Sequence, residues 1–423
     1  MNKNLSLAVA SALLAAASSA NAGIMIPAGD WTLDIGGIVN TYYTSTRQSG
    51  TSPGKGYGGA LFTTNDAGKT TSNITTGLLP NYLSVSGKTR QNDLDVGFTI
   101  SINPGSSTKS AGIQSFNNGN GARQENRQAF LTFGDKSWGS IKLGKDLGIF
   151  ASDAILNDMT LLGVGSGAGG LAGNDTTTGR IGTGFMYADW KAQVAYSSPN
   201  WNGFSFTGGV TQAWNAIDVA IGSATSTQRG GASPAFEGKA SYEWAGDFGG
   251  KVWVSGISQK VKGLTSAKAA AFASPAVAEG VTNSSNRAEA VDIGGTVGYS
   301  GFGLTGYYYT GSGIGQTVQL NGGFDTTGKE RDSDGWYVQG TYTIPTVGTK
   351  IGLSYGESKL DGNGALDTGL GANTLKDSMW TLGAYHPITK HLNLVAEYSD
   401  VKSKLGAKEG KARTFDFGAI LFF

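Results

Sequence analysis

The chain has 423 residues, with 32 Lys and Arg against 31 Asp and Glu, 68 Gly, two His and no Cys. The absence of cysteine excludes disulfide scaffolds, thiolate zinc sites and a cysteine nucleophile, and the glycines lack the Gly-X-Y period of collagen. The balanced charge argues against a basic nucleic-acid-binding surface, so no nucleic-acid partner is expected.

The first 22 residues have the pattern of a secretory signal peptide. A short start with Lys3 precedes a mostly apolar stretch from Leu5 to Ala17, and Ala20-Asn21-Ala22 fits a small-residue cleavage site. The apolar stretch is shorter than the roughly 20 residues that a spanning helix needs, which disfavours a membrane anchor. We therefore expect residues 1–22 to be removed on export, which leaves a mature chain of residues 23–423.

Beyond this point apolar and polar residues alternate with a period of two. From Leu94 to Ile102, for example, Leu, Val, Phe and Ile alternate with Asp, Gly, Thr and Ser. This period predicts β-strands with one apolar face and one polar or small face. Sixteen segments show the pattern, near residues 30–43, 81–89, 94–102, 126–133, 140–146, 184–197, 203–214, 236–244, 251–259, 288–299, 302–310, 335–344, 349–357, 378–386, 392–399 and 412–423.

The connections between these segments alternate between short and long. Seven are short turns and eight are long, including 44–80 and 147–183. An even number of strands with short periplasmic turns and long external loops is the pattern of outer-membrane barrels. No linker or change of composition marks a second domain. The sequence therefore predicts an all-β fold, a single 16-stranded antiparallel transmembrane β-barrel over residues 23–423 with short periplasmic turns and long external loops.

The placement of charge indicates which face of the predicted strands meets lipid. In segment 236–244 all three charged residues fall on one face, and the other face is apolar and aromatic. A Lys or Arg at the bilayer midplane costs about 2–4 kcal/mol on the lipid face of a barrel, so a face without charge suits lipid. Aromatic residues near the segment ends fit two interfacial girdles, although aromatics favour strands in general. Outer-membrane lipid is therefore a predicted partner.

The last segment carries the most specific signal. From Thr414 to Phe423 alternate positions hold Phe, Phe, Ala, Leu and Phe. In a barrel this strand must pair with the first, because an open edge in lipid leaves backbone groups without hydrogen bonds. An alternating strand that ends in an aromatic residue resembles the C-terminal signature of outer-membrane barrels.

Several blocks resemble the general porins of Gram-negative bacteria, especially the trimeric proteobacterial type. They are Asn126 to Phe133, the Trp138-Gly139 turn, Ser140 to Lys145, Tyr385 to Tyr398 and the terminal strand. Thr132, Phe133 and Lys145 depart from the family's usual residues. The resemblance spans nearly the whole mature chain. It implies a cell outer-membrane porin and homotrimer that passes small hydrophilic solutes and ions by passive diffusion, and not an enzyme.

The resemblance also implies that residues 147–183 form a loop that folds into the lumen and narrows it. Acidic and basic groups facing each other there would bias which ions pass. Strand parity places Lys142 towards the lumen but puts Arg127 and Lys145 on the opposite face, unless a strand end or bulge redirects them. Each charge could instead be a solvated loop residue. The expected constriction residues are Arg127, Lys142, Lys145, Asp146, Asp153, Asp158, Asp175 and Arg180.

No cofactor, metal site or catalytic residue is predicted. The glycine-rich run 163–170 lacks the strand–turn–helix context of a phosphate-binding loop. His386 and His391 flank a predicted turn without an accompanying acidic ligand pattern, and no local pattern indicates a Ser/His or paired-acid enzyme. Two alternatives stay open, a porin specific for one solute and a barrel that binds or adheres to a partner through its long loops.

Overall fold

The computed structural model of the protein describes residues 23–55, 68–106, 124–166, 176–219, 221–265 and 286–423. Sixteen strands within these ranges form the wall of one antiparallel barrel. They are β1 (Trp31–Gly50), β2 (Tyr82–Gln91), β3 (Leu94–Pro104), β4 (Ala129–Asp135), β5 (Gly139–Leu147), β6 (Trp190–Ser197), β7 (Phe204–Thr211), β8 (Ala235–Trp244), β9 (Gly249–Val261), β10 (Asn286–Tyr299), β11 (Phe302–Ser312), β12 (Asp332–Thr343), β13 (Lys350–Asp361), β14 (Thr374–Pro387), β15 (Leu392–Leu405) and β16 (Lys408–Phe422).

The barrel closes where its first strand pairs with its last. β1 and β16 are antiparallel from Ile38 opposite Phe422 to Gly50 opposite Gly410. The other edge of β1 pairs with β2, and the remaining strands pair with their neighbours in chain order. Closure therefore removes the open edge that a sheet could not keep in a bilayer.

All sixteen predicted strands are confirmed, although several boundaries move by three or more residues; β15, for example, continues to Leu405 and β16 begins at Lys408. β1 continues to Gly50 because its outer half remains paired with β16. β6 begins at Trp190 and not near residue 184, because residues 184–188 turn away from the wall to meet another loop. There Tyr187 donates its backbone N–H to the carbonyl of Thr317 at 2.8 Å.

Three short strands of the main sheet were not anticipated, nor was a separate two-stranded sheet in which Thr225–Ser226 pairs with Leu264–Thr265. Ile24–Ala28 forms a hairpin with β1, in which Gly29 adopts a φ of 63° at the turn. Thr70–Thr75 pairs with the outer half of β1, and Gln124–Glu125 pairs with the end of β3. Within the described ranges these strands bring the sheet to 19 strands in total.

The two faces of the wall differ in chemistry. Alternate positions carry exposed apolar side chains, such as Val39, Ile100, Val254 and Leu353. At the short-turn end aromatic residues meet across the turns. The rings of Phe248 and Tyr299 stack with centroids 4.3 Å apart, and those of Phe302 and Tyr342 lie 4.4 Å apart. An apolar band with an aromatic edge is the outer surface of a membrane barrel.

No helix in the described part of the chain is long and apolar enough to cross a membrane.

The closing seam provides a stability prediction. Gly418 in β16 faces Tyr42 in β1, and a Cβ atom there would lie 2.6 Å from Cδ1 of Tyr42 and closer still to the carbonyl oxygen of Thr41. We expect Gly418→Leu to lower the free energy of unfolding by about 1–3 kcal/mol, since overpacking forces a shift of backbone. Urea unfolding in detergent micelles measures this change.

Gly340→Leu is the matched control, because no atom lies within 4 Å of a Cβ at Gly340. Equal unfolding midpoints for the two variants would contradict the assignment of strain to the seam.

Candidate pore constriction

The segment between β5 and β6 is the longest connection that packs against the wall. Its described parts, 148–166 and 176–189, contain the helix α1 (Ser152–Leu156) and two 3₁₀ turns, Met159–Leu162 and Ile181–Thr183. Asp158 starts the first of these turns, because its carboxylate accepts hydrogen bonds from the Thr160 amide at 3.1 Å and the Thr160 hydroxyl at 2.6 Å. Such side-chain caps stabilise short turns that few helical hydrogen bonds support.

The segment first attaches to the wall at Glu237 on β8. One carboxylate oxygen of Glu237 accepts the amides of Ile149 at 2.8 Å and Phe150 at 2.9 Å. The other oxygen lies 2.6 Å from the ammonium of Lys191 and 2.8 Å from the hydroxyl of Thr211. The Glu237 and Lys191 side chains are fully buried. A buried carboxylate with partners for both oxygens is a strong anchor, because removing a partner leaves an uncompensated charge.

The middle of the segment attaches to β12. Tyr337 donates its hydroxyl to the carbonyl of Ala154 at 2.7 Å. The amide of Gln339 binds backbone groups on both sides of one turn, donating to Asn157 at 2.6 Å and accepting from Met159 at 2.9 Å. These hydrogen bonds satisfy backbone N–H and C=O groups that have no partner within the short helices.

The far attachment of the first part of the segment is Glu397 on β15. Its Oε2 accepts the amides of Val164 at 2.9 Å and Gly165 at 2.7 Å, and its Oε1 accepts the hydroxyl of Tyr385 at 2.6 Å. Tyr42 on β1 also donates its hydroxyl to the carbonyl of Leu162. The first part of the segment therefore ends beside the closing strands of the barrel.

The second part of the segment runs back along the wall through Arg180. This fully buried guanidinium donates to the carbonyl of Met379 on β14 at 3.0 Å and to the hydroxyl of Ser354 on β13. Burial lowers the pKa of Arg180, although the nearby Asp158 carboxylate acts in the opposite direction. Burial likewise raises the pKa of Asp158, against the effect of Arg180. Tyr309 on β11 then donates its hydroxyl to Gly184 at 2.8 Å.

One charged cluster joins the segment to the wall where solvent reaches. The carboxylate of Asp153 lies 2.8 Å from the ammonium of Lys239 on β8 and 2.7 Å from that of Lys251 on β9. Burial raises the pKa of Asp153, but the two ammonium groups outweigh it and hold the pKa below its usual value. Both lysine side chains are partly exposed, at 23% and 15%, so solvent reaches the cluster.

Two of the sequence-predicted residues form a second charged pair on the same side of the wall. Lys142 and Asp146 lie four residues apart on the inner face of β5, and their side chains make an ion pair along the strand. Gln128 donates to the other carboxylate oxygen of Asp146 at 3.0 Å, and the Lys142 ammonium lies 4.8 Å from the centroid of the Phe130 ring. These contacts hold the pair at the start of the long segment.

The structure separates Arg127 and Lys145 from these clusters. Arg127 is buried, with its Nε 3.2 Å from Glu125 and its guanidinium 5.7 Å from the Trp190 ring. Lys145 is exposed, and its ammonium donates to the carbonyl of Asn126 at 2.9 Å. In β5 it occupies the same face as Leu143.

The other predicted residues on the long segment have different surroundings. Asp158 and Arg180 are fully buried; Asp158 caps a turn within the segment, and Arg180 binds the wall at β13 and β14. Asp153 is itself buried and belongs to the partly exposed cluster with Lys239 and Lys251. Asp175 lies outside the described residues.

Sequence reasoning did not select the wall residues that hold the segment. Lys239 and Glu237 carried a signal, because they lie on the charged face of their predicted strand. Glu397 also lies on an inward position of its strand. Its partners, however, are backbone amides 232 and 233 residues away, which spacing along the chain does not reveal. Within the described ranges, no group of three or more His, Asp or Glu side chains is placed to hold a metal ion.

The fold and this arrangement of charges define an outer-membrane channel protein. The family described as Gram-negative porin matches residues 8–406, and the chain therefore belongs to that family. Membership of this family assigns the protein to the outer membrane and makes it a channel for passive diffusion of solutes. A comparison with curated protein sequences found no match.

Solved structures with the same fold cover almost the whole chain. The outer-membrane channel DcaP of Acinetobacter baumannii has a TM-score of 0.66 at 15% identity, over 95% of this chain and 99% of its own. The anion-selective porin from Comamonas acidovorans has a TM-score of 0.57 at 14% identity, over 93% and 100%. A trimer form of OmpT from Vibrio cholerae has a TM-score of 0.54 at 15% identity, over 93% and 99%. At these identities the likeness concerns the fold.

The attachment at Glu397 provides a prediction for the long segment. Glu397→Ala leaves the amides of Val164 and Gly165 without their acceptor, at a cost of about 1.5–3 kcal/mol for a bond to a charged group. We expect this end of the segment to loosen and single-channel current noise to rise.

Glu397→Gln is the control, since its carbonyl oxygen can still accept these hydrogen bonds. Limited proteolysis is expected to cut the alanine variant faster than the glutamine variant and the unmodified protein. Equal cutting rates for all three proteins would show that Glu397 does not hold the segment.

Proposed function

We propose that residues 147–183 cross the lumen of the barrel and form its constriction, beside which small hydrophilic solutes and ions diffuse. The observation that supports this most directly is the order of wall contacts along the segment. Ile149 meets β8, Asn157 meets β12, and Val164 meets β15 on the far side of the sheet. A segment outside the barrel would have to follow half its circumference through lipid with its polar groups unsatisfied.

Charge selectivity in this proposal comes from the clusters that keep some solvent exposure. Asp153 with Lys239 and Lys251 forms one cluster, and Lys142 with Asp146 forms the other. Fixed charges that line a narrow passage bias which ions pass. The buried pair of Glu237 and Lys191 has an anchoring role instead, because no solvent reaches it.

Planar bilayers test the channel as a whole. We expect stepwise conductance after reconstitution of the purified barrel. Lack of conductance at every voltage would contradict passive diffusion, and conductance that saturates with one sugar or organic anion would favour a porin specific for that solute.

Lys142 provides a more specific prediction. Lys142→Gln removes a partly exposed positive charge and leaves Asp146 without its ion pair, so we expect the reversal potential in a salt gradient to shift towards cations. Lys145→Gln is a matched control, because Lys145 lies on the opposite face of the same strand. The selectivity assignment fails if Lys142→Gln leaves the reversal potential unchanged or if Lys145→Gln shifts it equally.

We also propose that residues 1–22 are a signal peptide removed on export, that residues 23–423 form the barrel, and that the protein is a homotrimer. The trimer is supported by the lengths of β4, β5 and β6, which have seven, nine and eight residues. A tilted membrane strand needs about 9–11 residues. A neighbouring subunit over this short sector would avoid the cost of thinning the bilayer. The trimer form of OmpT has the same fold.

Leu131 provides a test of this interface. It is an exposed apolar residue on β4, and Leu353 is a comparable residue on β13. We expect Leu131→Arg to convert trimers to monomers in detergent, because it buries a charge between subunits, whereas Leu353→Arg leaves trimers intact. Light scattering after size-exclusion chromatography measures the mass of each. A trimer that survives Leu131→Arg would place the interface elsewhere.

A further inference from the structure

The loop between β11 and β12, residues 313–331, contacts two distant strands through buried side chains. Gln316 donates from its side-chain amide to the carboxylate of Asp377 on β14 at 2.8 Å. Three residues later, the amide oxygen of Gln319 accepts a hydrogen bond from the ammonium of Lys191 on β6 at 2.6 Å. All four side chains are buried. The strand registers place Asp377 and Lys191 on the inner face of the wall.

The two strands lie on opposite sides of the barrel. β6 and β14 are eight strands apart in either direction around the wall of sixteen. Eight strand spacings of about 4.8 Å make roughly 38 Å along the wall, whereas three residues of chain span at most about 11 Å. The long glutamine and lysine side chains bridge the remaining distance only on a direct path between the two inner faces. The loop therefore crosses the enclosed space.

This crossing lies at the external end of the barrel. β6 begins at Trp190 and β14 begins at Thr374, and each strand follows a long connection. Lys191 and Asp377 are the second and fourth residues of these strands. Because the long connections of an outer-membrane barrel are external, the loop spans the outer mouth.

The middle of the loop lies on the second part of the segment that we propose as the constriction. Thr317 accepts the amide of Gly184 through its hydroxyl at 3.1 Å and the amide of Tyr187 through its carbonyl at 2.8 Å. Gln319 also donates to the carbonyl of Tyr187 at 3.1 Å. The loop and the segment therefore support each other between the two walls.

Two other external loops hold the β11–β12 loop in place. The buried guanidinium of Arg331 donates to the carboxylate of Asp367 in the β13–β14 loop at 2.7 Å and to the carbonyl of Gly222 in the β7–β8 loop at 3.0 Å. The amide of Ile217 in the β7–β8 loop donates to the carbonyl of Leu320 at 3.2 Å. Buried charge-assisted hydrogen bonds of this kind fix geometry strongly. The three loops therefore form one packed unit over β7 to β14.

The two sides of the lumen differ in their access to solvent. On β11 and β12, the inward residues Tyr309 and Tyr337 are buried. On β5, the side chains of Lys142 and Asp146 keep 31% and 11% of their surface exposed. The packed loops therefore cover one side of the barrel, and the Lys142–Asp146 pair lies on the other side.

We propose that the β11–β12 loop, which we call the crossbar loop, closes the external mouth over β7 to β13 and directs solutes past Lys142 and Asp146. Gln316 and Gln319 are positioning residues that fix the two ends of the crossing to opposite walls. This inference rests on the proposed function as a channel with a constriction at residues 147–183. It adds a second element that limits both the size of the solutes and their route, because the diameter and lining of a pore determine what passes.

The first measurement is the exclusion size of the reconstituted full-length barrel in planar bilayers, with neutral polyethylene glycols of graded size. Gln316→Ala with Gln319→Ala releases both ends of the crossing. A shortened loop, in which Gly-Ser-Gly replaces residues 316–321, removes the crossing. We expect both variants to admit larger glycols than the unmodified protein, and the shortened loop to raise the single-channel conductance about twofold, because the entrance becomes wider.

The second measurement concerns the route of the ions. We expect Lys142→Gln to shift the reversal potential about half as far in the shortened-loop protein as in the protein with its full loop, because ions gain an entrance away from Lys142. A loop that only stabilises the fold would leave this shift undiminished.

The control removes two exposed glutamines from the β7–β8 loop, by Gln212→Ala with Gln228→Ala. It is expected to keep the exclusion size and the conductance of the unmodified protein. Every variant should keep the gel mobility of the folded barrel, and the double alanine variant decides the proposal if the shortened loop does not fold.

An unchanged exclusion size in the loop variants, an equal change in the control, or an undiminished effect of Lys142→Gln would each overturn the crossbar loop. A different result would contradict the proposed function. If Lys142→Gln leaves the reversal potential unchanged even with the full loop, the selectivity assignment fails, and the glycol measurement still decides whether the loop narrows the mouth.

Discussion

The whole structure depends on the hydrogen bonds between β1 and β16. Lipid offers no partner for a backbone N–H or C=O group, so a sheet in a membrane is stable only when its first and last strands meet. The register from Ile38 opposite Phe422 to Gly50 opposite Gly410 provides this closure. In the closed sheet, side chains at alternate positions face either the lipid outside or the enclosed space inside.

This division explains why charged residues have such different roles in one wall. Inward positions bring Glu237 and Glu397 to the backbone amides of the long segment, where their carboxylates act as anchors. Lys239 and Lys251 use the same face to hold Asp153, but keep contact with solvent. On the outward face, charge is confined to the strand ends, as at Lys260 and Arg287. The buried anchoring contacts, the inward charges that solvent reaches and the lipid-facing surface therefore share one alternating pattern.

The sequence predicted the wall well and the site only in part. Every predicted strand is present because the period of two is a local property that one segment displays by itself. Parity also placed Lys142 opposite Lys145, and the structure has them on opposite faces of β5. The family resemblance marked residues 147–183, but it did not distinguish the partly exposed cluster of Asp153 from the buried Asp158 and Arg180.

The sequence by itself determined the sixteen strands of the wall and the face that most of their residues occupy, since alternation carries this information directly. The class of protein followed from short motifs that resemble the porins. Only the tertiary structure decided which distant groups meet. The amide of Val164 donates to Glu397, which is 233 residues away in the chain. β6 starts late because the backbone of Tyr187 binds another loop. Gly208, Gly238 and Gly256 form one row across three strands. Such contacts depend on the register between strands and on the path of long loops, which no local pattern in the chain encodes.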